Sequence, residues 1–529
     1  MKVYSFSPFG YEGSLVSVEV DLRRGIPAVD IVGLADGAVK ESRERMRSAI
    51  RNCGFEFPPE RVLISLAPAD LKKEGAAFDL AVALAVLCEK DIADGRGEGL
   101  PDGGVLVMGE LELNGRVRPL KGVHAAASTA REGGIRRCIV PKENAGEARE
   151  IASMEVFGAS SLVEAYEALR KEDCFTRKPT ASGKEGCPDG FPAVDVGGVL
   201  FPEAEPGYEY ADIRGQGFFV RALQLAAAGG HNVLAFGPPG CGKTLAMQKF
   251  PALLPLLGQE EAQPVTRIYS IAGLLPPDSP LVRNAPFRQP HQTASIEGIC
   301  GGGPRLTPGE ISLAHNGVLF LDEAAEFKAS VLQMLRVPLE SGAITLSRAG
   351  RSTVFPASFQ LLLATNPCPC GNFGSRDKLC LCSSSAVAQY WKKFSAPLLD
   401  RVDIRVQVEK SEGGQAGNGR EESGTLTTAE LREGIARAVL TQRARQGKKN
   451  ARLSPTEISC FCPLSADAGA MLDEACDRYS LSPRGKASCI KLARTAADMR
   501  GEDTISAGSM AESLAYRKAG GLAEELGMM

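Results

Sequence analysis

The sequence predicts an α/β protein: an N-terminal α/β domain, a second α/β domain built around a phosphate-binding loop, and a helical C-terminal domain. Three observations predict it. A short apolar strand over 232–236 runs directly into a glycine-rich turn and then a helix. A second apolar strand, over 317–321, ends in Asp322 and Glu323. From 426 onward, apolar residues recur at helical spacing and no stretch alternates as a strand does.

Length and composition set the frame. The chain has 529 residues, which at about 100–200 residues per domain means two to four domains. Hydrophobic residues make up 44% and charged residues 24%, so a core can form without a metal or disulfide staple. The net charge of −3 excludes a uniformly basic nucleic-acid coat but leaves room for local basic patches. No apolar run approaches the ~18 residues of a membrane span, and the first residues lack the apolar stretch of a signal peptide. The expected compartment is the cytoplasm, with no membrane partner. Cys53, Cys88, Cys138, Cys300 and Cys489 stand singly and read as reduced thiols there.

Two stretches rich in Gly, Ser and charge, 171–200 and 410–425, read as linkers because they cannot bury enough to order themselves. They divide the chain into blocks at 1–170, 201–409 and 426–529. In the first block, 16–22 alternates as a half-buried strand, and 62–66 is a short strand. Residues 36–53 read as a helix with Arg43, Arg47 and Arg51 on one face. Residues 78–87 are almost wholly apolar and read as a buried helix. In the last block, helices are expected over 466–479, 485–499 and 506–518.

The chemistry sits in the middle block. Gly237, Pro238, Pro239, Gly240, Cys241, Gly242, Lys243 and Thr244 fill every fixed position of the pattern GxxxxGK[ST]. Glycines let backbone N–H groups curl around phosphates, and the helix that follows presents its positive end. Lys243 is expected on the β and γ phosphates, and the Thr244 hydroxyl on Mg²⁺. Asp322 would hold that Mg²⁺ through water, and Glu323 would polarise an attacking water. Asn366, at the end of a strand over 360–365, can orient the same water. Arg401 follows a helix and precedes a strand, which suits a finger reaching a neighbouring subunit's γ-phosphate. Arg484 opens a tail helix and could touch phosphates from the lid side. For the last three, a surface or ion-pair role is the alternative.

These residues make the chain resemble the magnesium-chelatase-like branch of the AAA+ ATPases, and within it the YifB/ComM family. The stretches 29–35, 72–75, 78–80, 288–291, 309–317 and 493–498 carry the resemblance over nearly the whole chain. It implies ATP and Mg²⁺ as cofactors, Asn366 as sensor 1, Arg401 as arginine finger and Arg484 as sensor 2. It also implies a ring, a hexamer with ATP sites between subunits. One member of the family is a DNA helicase that promotes branch migration during natural transformation. The alternative is a chelatase-type motor that remodels a protein partner. The first block resembles the C-terminal domain of Lon protease, a two-layer α/β fold. Ala77 falls where the Lon serine would stand, so proteolysis is not expected.

Two further segments bear on a DNA partner, single-stranded or branched. Residues 298–305 are glycine-rich enough to be mobile. Residues 344–355 read as a hairpin with Arg348 and Arg351 at its tip, where they could grip phosphates; a solvated tip is the alternative. Cys368, Cys370, Cys380 and Cys382 form two CxC pairs just after Asn366. Four thiolates on two turns suit Zn²⁺, while unliganded thiols or a redox pair are the other readings. Cys460 and Cys462 are a lone pair and are given no metal. Family members commonly carry two adjacent histidines where this chain has His291 and Gln292, so its substrate could differ.

Overall fold

The computed structural model describes residues 2–33, 37–69, 73, 75–96, 104–171, 174–177, 191–205, 207–276, 279–348, 351–373, 378–409 and 426–518. The resemblance segments at 29–35 and 72–75 lie partly outside them, and half of the expected linker at 171–200 lies outside them. The expected linker at 410–425 lies outside them entirely.

Eight strands form the N-terminal sheet, in the order Thr176–Arg177, Glu155–Ala159, Arg137–Pro141, Val105–Val107, Val3–Ser7, Ser14–Arg23, Arg61–Ala67, Val29–Val32. The alternation in Ser14–Arg23 sets its register. Val16 and Val18 point inward opposite Ser5 and Val3 of the antiparallel neighbour. The central strands are apolar on both sides. Val3, Val105, Val107 and Ile139 enter a core beneath the helices Gly37–Asn52, Asp79–Ala93 and Leu162–Arg170. Phe6, Leu106, Cys138 and Val140 enter a second core beneath Val123–Glu132 and Ala145–Arg149. The expected two-layer domain is therefore three layers deep over these strands. A parallel run buried on both faces reads as continuously apolar, as Arg137–Pro141 does.

The second domain carries a five-stranded parallel sheet in the order Phe287–Arg288, Val318–Leu321, Gln360–Thr365, Val233–Phe236, Ile404–Gln407. Every residue of the three central strands is buried. Their side chains alternate between two cores: Val233, Phe320 and Leu362 on one face, Leu234, Leu319 and Leu363 on the other. The helices Gly217–Gly229 and Thr428–Gln446 cover the first face.

Three segments differ from the sequence reading. The expected linker ends in an ordered hairpin from 193: Ala193–Val196 pairs with Val199–Pro202, and Val199 and Phe201 lie in the core beside Phe219 and Phe250. Thr428–Gln446, opened by a capping box of Thr427 and Glu430, packs on the nucleotide-domain helix Gly217–Gly229 through Gln224 and Leu431 as well as on the tail helix Pro483–Arg500 through Arg445 and Asp498. The glycine-rich stretch at 298–305 contributes to an ordered turn. Its helix Ile296–Cys300 buries Ile299 and Cys300, and Gly301–Gly302 pairs with Thr307–Pro308. The remaining tail helices are Pro455–Phe461, Ala466–Tyr479, Pro483–Arg500 and Ala507–Lys518, around their own small core.

The N-terminal domain docks on the helix Gln259–Ala272 and the hairpin Ala343–Arg348/Arg351–Pro356. Arg267 stacks over the Tyr11 ring and donates to the Tyr11 and Glu12 carbonyls. Ser270 donates to Glu147 at 2.5 Å, and His124 meets Gln263 at 2.8 Å. Among the described residues no helix is long and apolar enough to cross a membrane.

A candidate nucleotide site

Strand register brings the phosphate loop, Asp322 and Asn366 to one edge of the sheet. Phe236 pairs with Thr365, and Leu321 with Leu363, all in parallel strands. The residues that follow each strand therefore leave from the same end, which is where parallel α/β sheets bind ligands. Gly237 N–H donates to the Thr365 carbonyl at 3.3 Å, so Asn366 begins its loop beside the phosphate loop.

The loop is built for close approach. Gly240 and Gly242 sit at φ 78° and 88°, in the left-handed region that glycine tolerates, and the position of a Cβ on either is open space. Gly237 is needed for packing instead: a Cβ there would fall 2.0 Å from the Val408 carbonyl oxygen. The helix Lys243–Gln248 starts at the lysine itself. Lys243 Nζ donates to the Gly237 and Pro238 carbonyls at 2.7 and 2.9 Å, which holds the ammonium inside the loop's curl. Gln216 was not legible as a site residue. Its amide bridges the Cys241 carbonyl at 3.3 Å and the Glu409 carbonyl at 2.7 Å, tying the loop to the edge strand.

The residues present fit Mg²⁺. Thr244 Oγ1 donates to Asp322 Oδ1 at 3.0 Å, so hydroxyl and carboxylate already converge as an oxygen donor set. Asp322 Oδ1 also accepts from the Glu323 N–H at 3.0 Å. Glu323 itself sits at φ 48°, ψ 45°, a left-handed conformation that costs a non-glycine residue about 1–3 kcal/mol and clusters at functional sites. The turn leaves its carboxylate exposed beyond the strand end.

Two of the expected residues stand elsewhere. The Asn232 side chain donates to the Arg401 carbonyl at 2.7 Å. Asn232 precedes the strand Val233–Phe236, whereas the phosphate loop follows it. At about 3.3 Å per residue, roughly 13 Å of sheet separates them. Arg484 does not approach the loop from the lid side. It reaches Glu340 Oε1 at 3.3 Å, and Arg401 binds Glu340 Oε2. The two guanidiniums, Arg401 foremost, hold the Glu340 carboxyl below the usual carboxylate range.

The hairpin forms as expected, with Arg348 and Arg351 paired and both exposed. Arg351 stacks over the Phe9 ring of the N-terminal domain at 5.3 Å. Gly309, Glu310 and Arg288 belong to the quoted motifs for a packing reason: Arg288 forms a two-pronged pair with Glu310 at 2.6 and 2.8 Å. Among the described residues His291 bonds its neighbour Thr293, while Arg47 lies over the Phe57 ring.

The family profile "Magnesium chelatase, subunit ChlI" matches residues 209–416, "Subunit ChlI of Mg-chelatase" matches 18–144, and "Magnesium chelatase, subunit ChlI C-terminal" matches 425–517. Competence protein ComM of Haemophilus influenzae is 36% identical over 100% of this chain and 99% of its own length. This chain belongs to the YifB/ComM family. The YifB protein of Escherichia coli is 36% identical over 97% of this chain and 96% of its own. An uncharacterised protein of Mycobacterium tuberculosis is 38% identical over 98% and 99%. The YifB/ComM proteins are AAA+ ATPases of the magnesium-chelatase type, and membership supports ATP hydrolysis and the use of Mg²⁺ in general.

Proposed function

We propose that the protein is a ring-forming ATPase that uses hydrolysis to move along or remodel DNA, as a branch-migration helicase does. The observation that carries the ring is the placement of Arg401 and Arg484 on Glu340, at the sheet edge away from their own phosphate loop. This placement supports a role for both arginines in completing a neighbour's site. A closed ring, a hexamer, satisfies every such head-to-tail contact.

Within each site Lys243 and the loop amides hold the β and γ phosphates. Mg²⁺, when bound, would neutralise charge developing on the phosphate oxygens. Thr244 and Asp322 orient its shell, Glu323 takes a proton from the attacking water, and Asn366 fixes that water's direction. Arg401 from the next subunit stabilises the transition state, and Arg484 enters with it. The N-terminal domain is read as a Lon-like scaffold without proteolysis, since Ala77 offers no nucleophile. The exposed Arg348, and Arg351 beside Phe9, supply the positive charge that a phosphate backbone needs at the hairpin tip.

The test is steady-state ATP hydrolysis with and without single-stranded, duplex and four-way-junction DNA, with Glu323→Gln as control. Stimulation by DNA that the control loses is expected. A DNA-indifferent rate would overturn the DNA reading in favour of a chelatase-type motor acting on a protein partner.

A further inference from the structure

The loop that follows Asn366 gathers four thiols. Cys368, Cys370, Cys380 and Cys382 place their Sγ atoms within 4.8 Å of one another. Cys368 stands 3.4 Å from Cys370 and 3.7 Å from Cys380, and Cys370 stands 3.6 Å from Cys380. A tetrahedral Zn²⁺ with bonds of about 2.3 Å sets its sulfurs about 3.8 Å apart. The observed spacings match that edge.

The backbone is arranged for thiolates. Gly371, at φ 76°, closes a turn on the Cys368 carbonyl at 2.9 Å and so brings Cys368 and Cys370 to one side. Phe373 N–H donates to Cys368 Sγ at 3.4 Å. That amide is an outer-shell donor of the kind that tunes a metal-bound thiolate.

Hydrophobicity alone does not explain the arrangement. Leu379 and Leu381 alternate with Cys380 and Cys382, yet the leucines are 82% and 85% exposed while the thiols turn inward. A loop that only sought an apolar core would bury the leucines, each worth about 1.5–3 kcal/mol. Four sulfurs converging here, with only Cys368 buried and Cys370 exposed, are a ligand set rather than an apolar core.

The loop also touches the nucleotide site. A Cβ on Gly371 would fall 2.8 Å from Pro239 Cδ of the phosphate loop and 3.9 Å from the Asn366 side chain. On its other side, Trp391 Nε1 donates to the Pro367 carbonyl at 2.9 Å.

We propose that Cys368, Cys370, Cys380 and Cys382 hold one structural Zn²⁺, and that this metal braces the phosphate loop at Pro239 and Asn366. The metal site stands on its own geometry; the bracing rests on the nucleotide-site reading above. The first experiment is elemental analysis of the full-length protein after gel filtration in chelator. One zinc per chain is expected, and its loss in Cys368→Ser and Cys380→Ser but not in Cys460→Ser. Cobalt substitution is expected to give the charge-transfer and visible bands of a tetrahedral tetrathiolate. No retained metal, or an octahedral cobalt spectrum, would overturn the site. The variants also separate the two claims. Lys243→Ala is expected to lose nucleotide binding and keep full zinc. Cys380→Ser is expected to bind a fluorescent ATP analogue severalfold more weakly with Lys243 intact; unchanged affinity in a zinc-free chain would overturn the brace while leaving the metal.

Discussion

Arg484, from the helical C-terminal domain, and Arg401, from the nucleotide domain, close on the two oxygens of one carboxylate, that of Glu340. The pair is a unit because three elements meet there. Ser482, which caps the Arg484 helix, lies 3.4 Å from Asp400, and Arg517 donates to the Val402 carbonyl at 2.6 Å. The tail thereby fixes the arginines against the strand start at Ile404. Glu340 keeps both guanidiniums paired until a more strongly charged phosphate competes for them.

A finger supplied in trans makes a mixing prediction. Arg401→Ala is expected to lower the hydrolysis rate about 10³-fold, the lower end for arginine fingers, with nucleotide affinity near that of the parent. Mixed with Lys243→Ala, which lacks its own loop lysine but retains Arg401, it should regain activity at interfaces that combine both intact halves. Turnover of mixed and separate variants checks this. A mixture no more active than its parts would place the arginine in its own chain's site.

Glu323 and Lys243 divide binding from turnover. Glu323→Gln keeps the shape of the strained turn and removes the base. The expected outcome is retained ATP binding with hydrolysis down at least 10²-fold, the scale of general-base catalysis. Lys243→Ala should lose binding itself, because the ammonium that the Gly237 and Pro238 carbonyls hold in place is gone. Equilibrium binding beside single-turnover hydrolysis separates the two.

What the sequence could reveal follows from how local each signal is. Lys243, Thr244, Asp322 and Glu323 are each fixed by the backbone within a few residues: a strand, a turn, a helix start. Their patterns are contiguous and so were legible. Glu340 lies 144 residues from Arg484 and 61 from Arg401, and Gln216 lies 193 from Glu409. Nothing in the local pattern marks those partners. The side on which Arg401 and Arg484 stand also depends on strand order, which only the assembled sheet supplies. The third layer of the N-terminal domain was within reach. The runs at Val105–Val107 and Arg137–Pro141 do not alternate, and a strand without alternation needs cover on both faces.

The tail's stability centres on Asp498, which is fully buried. It accepts from Arg494 at 3.0 Å, from both terminal nitrogens of Arg445 at 2.6 and 2.9 Å, and from Asn450 at 2.8 Å. Removing the carboxylate leaves Arg494 buried without its counter-charge. Asp498→Ala is expected to cost about 3–5 kcal/mol. Asp473→Ala, which breaks an exposed pair with Lys486, is expected to cost under about 1 kcal/mol. Denaturant unfolding of the helical domain checks both, and equal costs would show that the network is not the support described.

Acid should weaken the fold through His315. Its Nδ1 accepts the Ser358 N–H at 3.0 Å, a bond that only the unprotonated nitrogen can make. Burial first, and then the charge of Arg452, lowers its pKa from 6.5 to about 4. The sign follows from that direction. The unfolded chain takes up the proton near pH 6.5 and the folded chain does not until about pH 4. The stability present at neutral pH is thus lost progressively across that window, by about 3 kcal/mol when complete. His124, lowered to about 4 by burial, adds in the same sense; Glu147, raised by burial, opposes it, because its protonated form is the one the fold favours. His315→Gln keeps an acceptor for Ser358 and cannot titrate. Its unfolding free energy, measured from pH 7 to pH 4, should fall less steeply than the parent's; parallel curves would show that His315 does not carry the acid sensitivity.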